Sequence, residues 1–317
     1  MALLHNMSGE CIKSELDIFT VPPTQTSLEK NDYLEVPPLS AISDSAPLEF
    51  FIAGTGEDYL DLNNTMLFLR LKITRPNGAD IADPAPVGLI NYAGATLFSQ
   101  LDISLGDRLI SQSSSTYTYR CIIECLMNYS KDALESLFTP GLFYKDTAGH
   151  TDVRDPEKLL INGVDVKIRL IRGKDEFCLM RSDDVAYKVK ILSASLFVKK
   201  VSVSPAVRLG HAQALLSTTA KYPVDRVCLK TISLPAGSRV SNQENLFLGT
   251  LPKSIILGMV DNDAFSGSYD KNPFTLNHYD LEFLAIYAYG KQIPSKPLQP
   301  DFVVHETLYD ASVRVGA

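Results

Sequence analysis

The side chains that could do chemistry in this chain are scattered rather than grouped. Its five histidines are His5, His150, His211, His278 and His305, and the nearest pair, His278 and His305, is 27 residues apart. A local zinc or iron site needs ligands one helical turn or one strand step apart, as in His-x-His, His-x-x-x-His or Cys-x-x-Cys; none of these spacings occurs. Of the five cysteines (Cys11, Cys121, Cys125, Cys178 and Cys228), only Cys121 and Cys125 are near neighbours, about one helical turn apart. An odd count at loose spacing gives no disulfide framework, so buried, reduced thiols are expected. The run Ala53-Gly-Thr-Gly56 begins like a phosphate loop but lacks the Gly-Lys-Ser/Thr ending that brings a cation to the phosphates, and reads as a turn. Asp261-Asn-Asp263 begins like a calcium loop, yet Phe265 and Ser266 stand where an oxygen ligand and a glycine are required, so a plain loop is expected. No Gly-x-Ser-x-Gly elbow occurs. Asp183-Asp184 and Glu57-Asp58 fall at expected strand ends, where solvated turn carboxylates are the ordinary outcome rather than an acid–base pair. The expectation is a protein with no catalytic residues, no cofactor and no metal: not an enzyme.

The elements that carry these residues read mainly as strands. Residues 48–52, 66–74, 97–110, 164–171 and 187–203 are rich in β-branched, aromatic and leucine residues, several with the alternation of a half-buried strand. Within 66–74, Leu69, Leu71 and Ile73 share one face, and Arg70, Lys72 and Thr74 the other. Turn chemistry separates the runs at Arg75-Pro76-Asn77-Gly78, Leu105-Gly106-Asp107, Arg172-Gly173-Lys174 and Pro235-Ala236-Gly237. Helical patterns are few: 119–129, a turn over 131–138 stopped by Pro140-Gly141, and a helix from Pro205 to about residue 216 with Ser204 as its N-cap. Pro22-Pro23 cannot donate to a β-ladder, so the stretch ahead of the first strand is expected to be an arm along an edge or surface. The whole reads as all-β with short helices inserted in connections.

Composition bounds the partners. With 317 residues, 45% hydrophobic and 21% charged, the chain can build a full core. The net charge is −7 and no Lys/Arg run exceeds Lys199-Lys200, which argues against direct sequence-specific nucleic-acid binding. No apolar run approaches the length of a bilayer span, so no membrane partner is expected. Residues 1–7 carry no basic n-region, so export by a standard signal is not expected either.

A repeat is visible at low similarity. Residues 97–111 and 281–295 each read as strand, Gly-centred turn and returning strand, with Gly106 and Gly290 at the turns, offset by 184 residues. Residues 50–54 match 233–237, and the apolar run 66–74 has a counterpart in 254–260. Matches in the same order at nearly one offset point to two all-β units in series, of the jelly-roll type.

Three blocks carry a family resemblance. Residues 16–28 (LDIFTVPPTQTSL), 54–62 (GTGEDYLDL) and 272–302, which opens Asn-Pro-Phe and closes on Ser295-Lys-Pro-Leu-Gln-Pro-Asp-Phe302, resemble the major capsid (hexon-like) proteins of Polinton/Maverick and adintovirus-like elements. The resemblance implies a double jelly-roll in which two rolls stand side by side and three chains form a capsomer. It further implies partners that are copies of itself (a homotrimer) and other capsid proteins, with location in a virion if the element is active and otherwise inside the cell. Residues 303–317 do not resemble the family's continuation, so the second roll is expected to be partial. The expected segmentation is an arm at 1–34, a complete first jelly roll at 35–203, a connecting helix at 204–217, a partial second roll at 218–302 and a divergent tail at 303–317. Two other readings compete with the capsid subunit. One is a host-retained jelly-roll module that binds a protein or glycan without catalysis. The other is a cupin-type enzyme, which the histidine spacing disfavours.

Overall fold

The computed structural model describes residues 25–111, 114–129, 138–143, 158–222, 227–247, 252, 254–300 and 313–314. The expected arm residues 1–24, the turn at 131–137 and most of the tail at 303–317 lie outside the described residues. The chain divides into two units. A sandwich unit comprises Thr24–Leu229 with Asp263–Pro273, and a hairpin unit comprises Met1–Pro23, Lys230–Asn262 and Phe274–Ala317.

The sandwich unit is mostly β-sheet with few short helices. Its strands are β1 (Leu28–Val36), β2 (Leu48–Ile52), β3 (Tyr59–Thr74), β4 (Val87–Leu89), β5 (Phe98–Leu105), β6 (Arg108–Leu109), β7 (Val166–Arg172), β8 (Leu179–Arg181) and β9 (Lys188–Val203). They form a three-stranded sheet in the order β1-β9-β3, a four-stranded sheet in the order β2-β7-β5-β6, and the pair β4-β8, all antiparallel. One buried cluster takes Val36, Leu60, Val189, Leu196 and Val198 from the first sheet and Phe50, Ile52, Phe98, Val166 and Leu170 from the second. Alternation explains this directly. In β2, Leu48, Phe50 and Ile52 are buried while Glu49 and Phe51 are half-buried, and in β9 the inward residues run Val189, Ile191, then Ala194, Leu196, Val198. The step from Ile191 to Ala194 crosses a register shift opposite Arg70/Leu71, which keeps the apolar set on the core side.

Helices fill the connections: α1 (Ala93–Thr96), α2 (Tyr117–Asn128), α3 (Asp175–Cys178), α4 (Pro205–Leu215) and α5 (Asn262–Ser266), with a 3₁₀ turn at Thr139–Gly141. α2 turns Ile122 and Cys125 inward. Proline at the first turn of α4 starts that helix as expected, but Ser204 makes no side-chain cap. Its N–H donates to Ser27 C=O at 2.8 Å instead, tying the helix start to the chain just ahead of β1.

Several expectations are corrected here. Leu28–Val36, which crosses from the expected arm into the expected first roll, forms a strand at the edge of its sheet, paired along β9. Thr74, expected on the polar face with Arg70 and Lys72, is buried. Asn262–Ser266, expected as loop, makes one short helix. Of the repeat, residues 97–111 and 281–295 do both form hairpins, turning at Gly106 (φ 58) and Gly290 (φ 76). Residues 233–237 form no strand, and the run 254–260 gives only Ser254–Ile255.

The hairpin unit holds β10 (Ser254–Ile255) paired with β13 (Val313–Arg314), and β11 (Leu284–Ala288) paired with β12 (Lys291–Leu298). None of its residues whose burial is described is buried. Ile232, Leu234, Val240, Ile256, Leu257, Leu276, Phe283, Tyr287 and Tyr289 are all exposed.

Candidate functional site

Most of the residues singled out for chemistry do structural work. Gly54 N–H donates to Asp165 Oδ1 at 2.7 Å, and Gly163 N–H donates to Gly54 C=O at 2.7 Å. A Cβ at Gly54 would lie 2.5 Å from both the N and the C of Val164. The phosphate-loop lookalike is therefore a turn pressed against the loop ahead of β7. Asp183 accepts from Tyr187 O–H at 2.7 Å, Glu57 pairs with Arg208, and Asp263 pairs with Lys271 at 2.8 Å. Arg172, nearly buried, donates to Asp44 and Asp175 at 3.3 Å each and to Val189 C=O at 2.7 Å. That clamp joins the end of β7 to the start of β9 across the sandwich edge.

The Cys121, Cys125 and Cys178 thiols are held in their protonated form by burial. Cys121 and Cys125 sit on α2, where burial pushes their thiols up to about 12 and about 11. Tyr117 and Tyr92 hydrogen-bond them and moderate the rise without reversing it. Cys178, the last residue of α3, is pushed up to about 12 by burial and donates to Thr96 C=O at 3.1 Å. Cys228 is exposed. Cys11, His5, His150 and His305 lie outside the described residues. Among the described residues, no group of three or more His, Cys, Asp or Glu is placed to hold a metal ion. No described helix is long and apolar enough to cross a membrane.

Of the two described histidines, His211 makes an aromatic contact. It projects from α4 to place Nδ1 2.8 Å from Tyr59 Oη on β3, the two rings stacked at 5.8 Å between centroids. Burial raises the Tyr59 pKa, so the phenol stays protonated at neutral pH. Beside this pair is a cleft of about 230 Å³, walled by Leu159, Ile161, Leu215 and Tyr222. Tyr222 Oη accepts from Ile161 N–H at 2.9 Å and donates to Leu159 C=O at 3.2 Å, which fixes the far wall. A cleft of this size with aromatic and aliphatic walls can seat a small apolar or aromatic group. Sequence reasoning passed over it because Tyr59 and His211 are 152 residues apart in the chain.

No protein-family model matches the chain. It is similar to the uncharacterized protein F54H12.2 of Caenorhabditis elegans, at 22% identity over 315 residues that cover 89% of this chain and 75% of that protein. Among solved structures it is similar to a chain of the Sputnik virophage determined by cryo-EM, with a TM-score of 0.39 and 11% identity. That match covers 62% of this chain and 53% of the other, so the chain spans about half the length of the virophage chain.

Proposed function

We propose that this protein is a structural subunit of the capsid type, a double jelly-roll with a partial second roll, that works by assembling rather than by catalysis. The observation that carries the reading is the path of the chain through the sandwich unit. Strands β1, β2 and β3 alternate between the two sheets, and the last strand, β9, returns to lie between β1 and β3. That path supports a jelly-roll reading of the first unit. The matching hairpins at Gly106 and Gly290 support a second, related roll. The exposed apolar side chains of the hairpin unit support a subunit that is completed by association. With the three sequence blocks, these features favour a homotrimeric capsomer of a virus-like integrated DNA element. Its partners are then copies of itself and other capsid proteins, with no role for a membrane or for sequence-specific nucleic-acid contacts. Its place is the virion when the element is active and the cell interior otherwise. Native mass spectrometry of the full chain tests this. Trimers as the smallest abundant species are expected, and a monomer alone at every concentration would contradict it.

A second reading, a host-retained binding module, is favoured by the cleft beside Tyr59 and His211. Genomic neighbours separate the two: a packaging ATPase or protein-primed polymerase beside the gene belongs to the first reading, an isolated gene expressed in tissue to the second.

A further inference from the structure

Among the described residues, the outward face of the β1-β9-β3 sheet is left exposed around Met66, Phe68 and Leu192, and it is not polar throughout. Along β3 the outward positions run Met66, Phe68, Arg70, Lys72, and their neighbours across β9 are Phe197, Ser195, Ser193 and Lys190. Met66 and Phe68 are 52% and 53% exposed, and Leu192, the extra residue at the register shift, is 44% exposed. Phe197 continues the apolar area as a half-buried ring. One end of this face is therefore apolar and the other is cationic, with Lys188 joining Arg70, Lys72 and Lys190.

The cationic end is arranged against its own stability. Lys72 and Lys190 stand directly opposite each other, and like charges so placed destabilise a ladder. Asp80 relieves Lys72 at 2.6 Å. Among the described residues no carboxylate is within ion-pair distance of Arg70, Lys188 or Lys190. The whole chain carries −7, yet charges more than about 8 Å away are largely screened at physiological ionic strength, so the local sign is positive.

We propose that this face is a docking surface for an acidic polypeptide segment of a partner, one that presents apolar side chains at one end and carboxylates at the other. Charge complementarity selects the occupant. Carboxylates meet Arg70 and Lys190, and apolar side chains cover Met66, Phe68 and Leu192. Cations on alternate residues of one strand are about 6.6 Å apart, the same repeat that alternate side chains of an extended segment present. A nucleic acid would satisfy the cations but leave the apolar half of the face in water, so it fits less well. The inference stands apart from the capsid reading, because it rests on this face alone.

The test uses the full chain and two fluorescent peptides, one with leucine and phenylalanine at alternate positions of its first half, glutamate at alternate positions of its second half and serine between, the other with lysine in place of each glutamate. A labelled oligothymidine is the third probe. Fluorescence anisotropy should show the acidic peptide binding, more weakly as salt rises, and the lysine peptide not binding. The variant R70E/K190E should weaken the acidic peptide at least about tenfold, as reversal of interfacial charges does. Met66→Ser with Phe68→Ser should weaken it at all salt concentrations. All four positions are exposed, so the fold is expected to survive, checked by circular dichroism. Absence of acidic-peptide binding, equal binding of the lysine peptide, indifference to both variants, or tighter binding of the oligothymidine would each overturn the proposal.

Discussion

At the scale of single residues, burial decides what the chemically able side chains do. Burial disfavours the thiolate, so the Cys121, Cys125 and Cys178 thiols, at about 12, about 11 and about 12, stay protonated at pH 8. Alkylation of the native protein at pH 8 should therefore label Cys228 and spare these three until denaturant is added, as read by peptide mapping. The same shifts link to stability. A group whose folded pKa is raised favours the protonated form, so its contribution is complete below the ordinary thiol value of 9.0 and is lost as pH rises toward the folded values. A urea midpoint that falls between about pH 9 and 12 is the expected outcome. Arg172 is the other sensitive residue. Arg172→Ala leaves Asp175 and the Val189 carbonyl without their cation, which should cost about 2–4 kcal/mol in chemical denaturation. Arg172→Lys should recover part of this, because an ammonium reproduces the charge but not the fork that reaches two carboxylates and a carbonyl.

At the scale of elements, the two informative glycines differ in mechanism. Gly54→Ala forces a Cβ into the Val164 backbone at 2.5 Å, where no side chain can move aside. Gly106→Ala meets open space and bears only the strain of φ 58, about 1 kcal/mol. Thermal denaturation should rank Gly54→Ala as clearly the more damaging, and the reverse order would refute the close-approach account. Strands that alternate were legible in sequence: 48–52 matches β2 residue for residue. Only the 66–74 half of β3 is legible in sequence, because Asp61, Asn63 and Asn64 break the alternation of its first half. The structure absorbs them with a register shift and an Asp61–Lys199 ion pair at 3.0 Å. The run 254–260 misled because a continuous apolar run has no periodicity to separate strand from loop, and only Ser254–Ile255 finds a ladder partner. The Tyr59–His211 contact was not legible at all, since nothing local to either residue specifies the other.

At the scale of the whole molecule, the two units differ in what their own residues bury. The sandwich unit has a continuous core between two sheets. The hairpin unit leaves aromatic and aliphatic side chains such as Phe283, Tyr287 and Tyr289 exposed. Each Å² of such surface removed from water stabilises an assembly by about 25 cal/mol, before the costs of association. A subunit that works by assembling should therefore bury these segments only in company. The most direct measurement is hydrogen exchange of the full chain over a concentration series, read at residues 254–262 and 274–300. The account predicts slow, global-type exchange for β2, β7 and β9 throughout, and protection in 254–262 and 274–300 that rises with concentration as oligomers form. Protection in those segments that is complete at the lowest concentration, in a monomer that melts in one cooperative step, would contradict it.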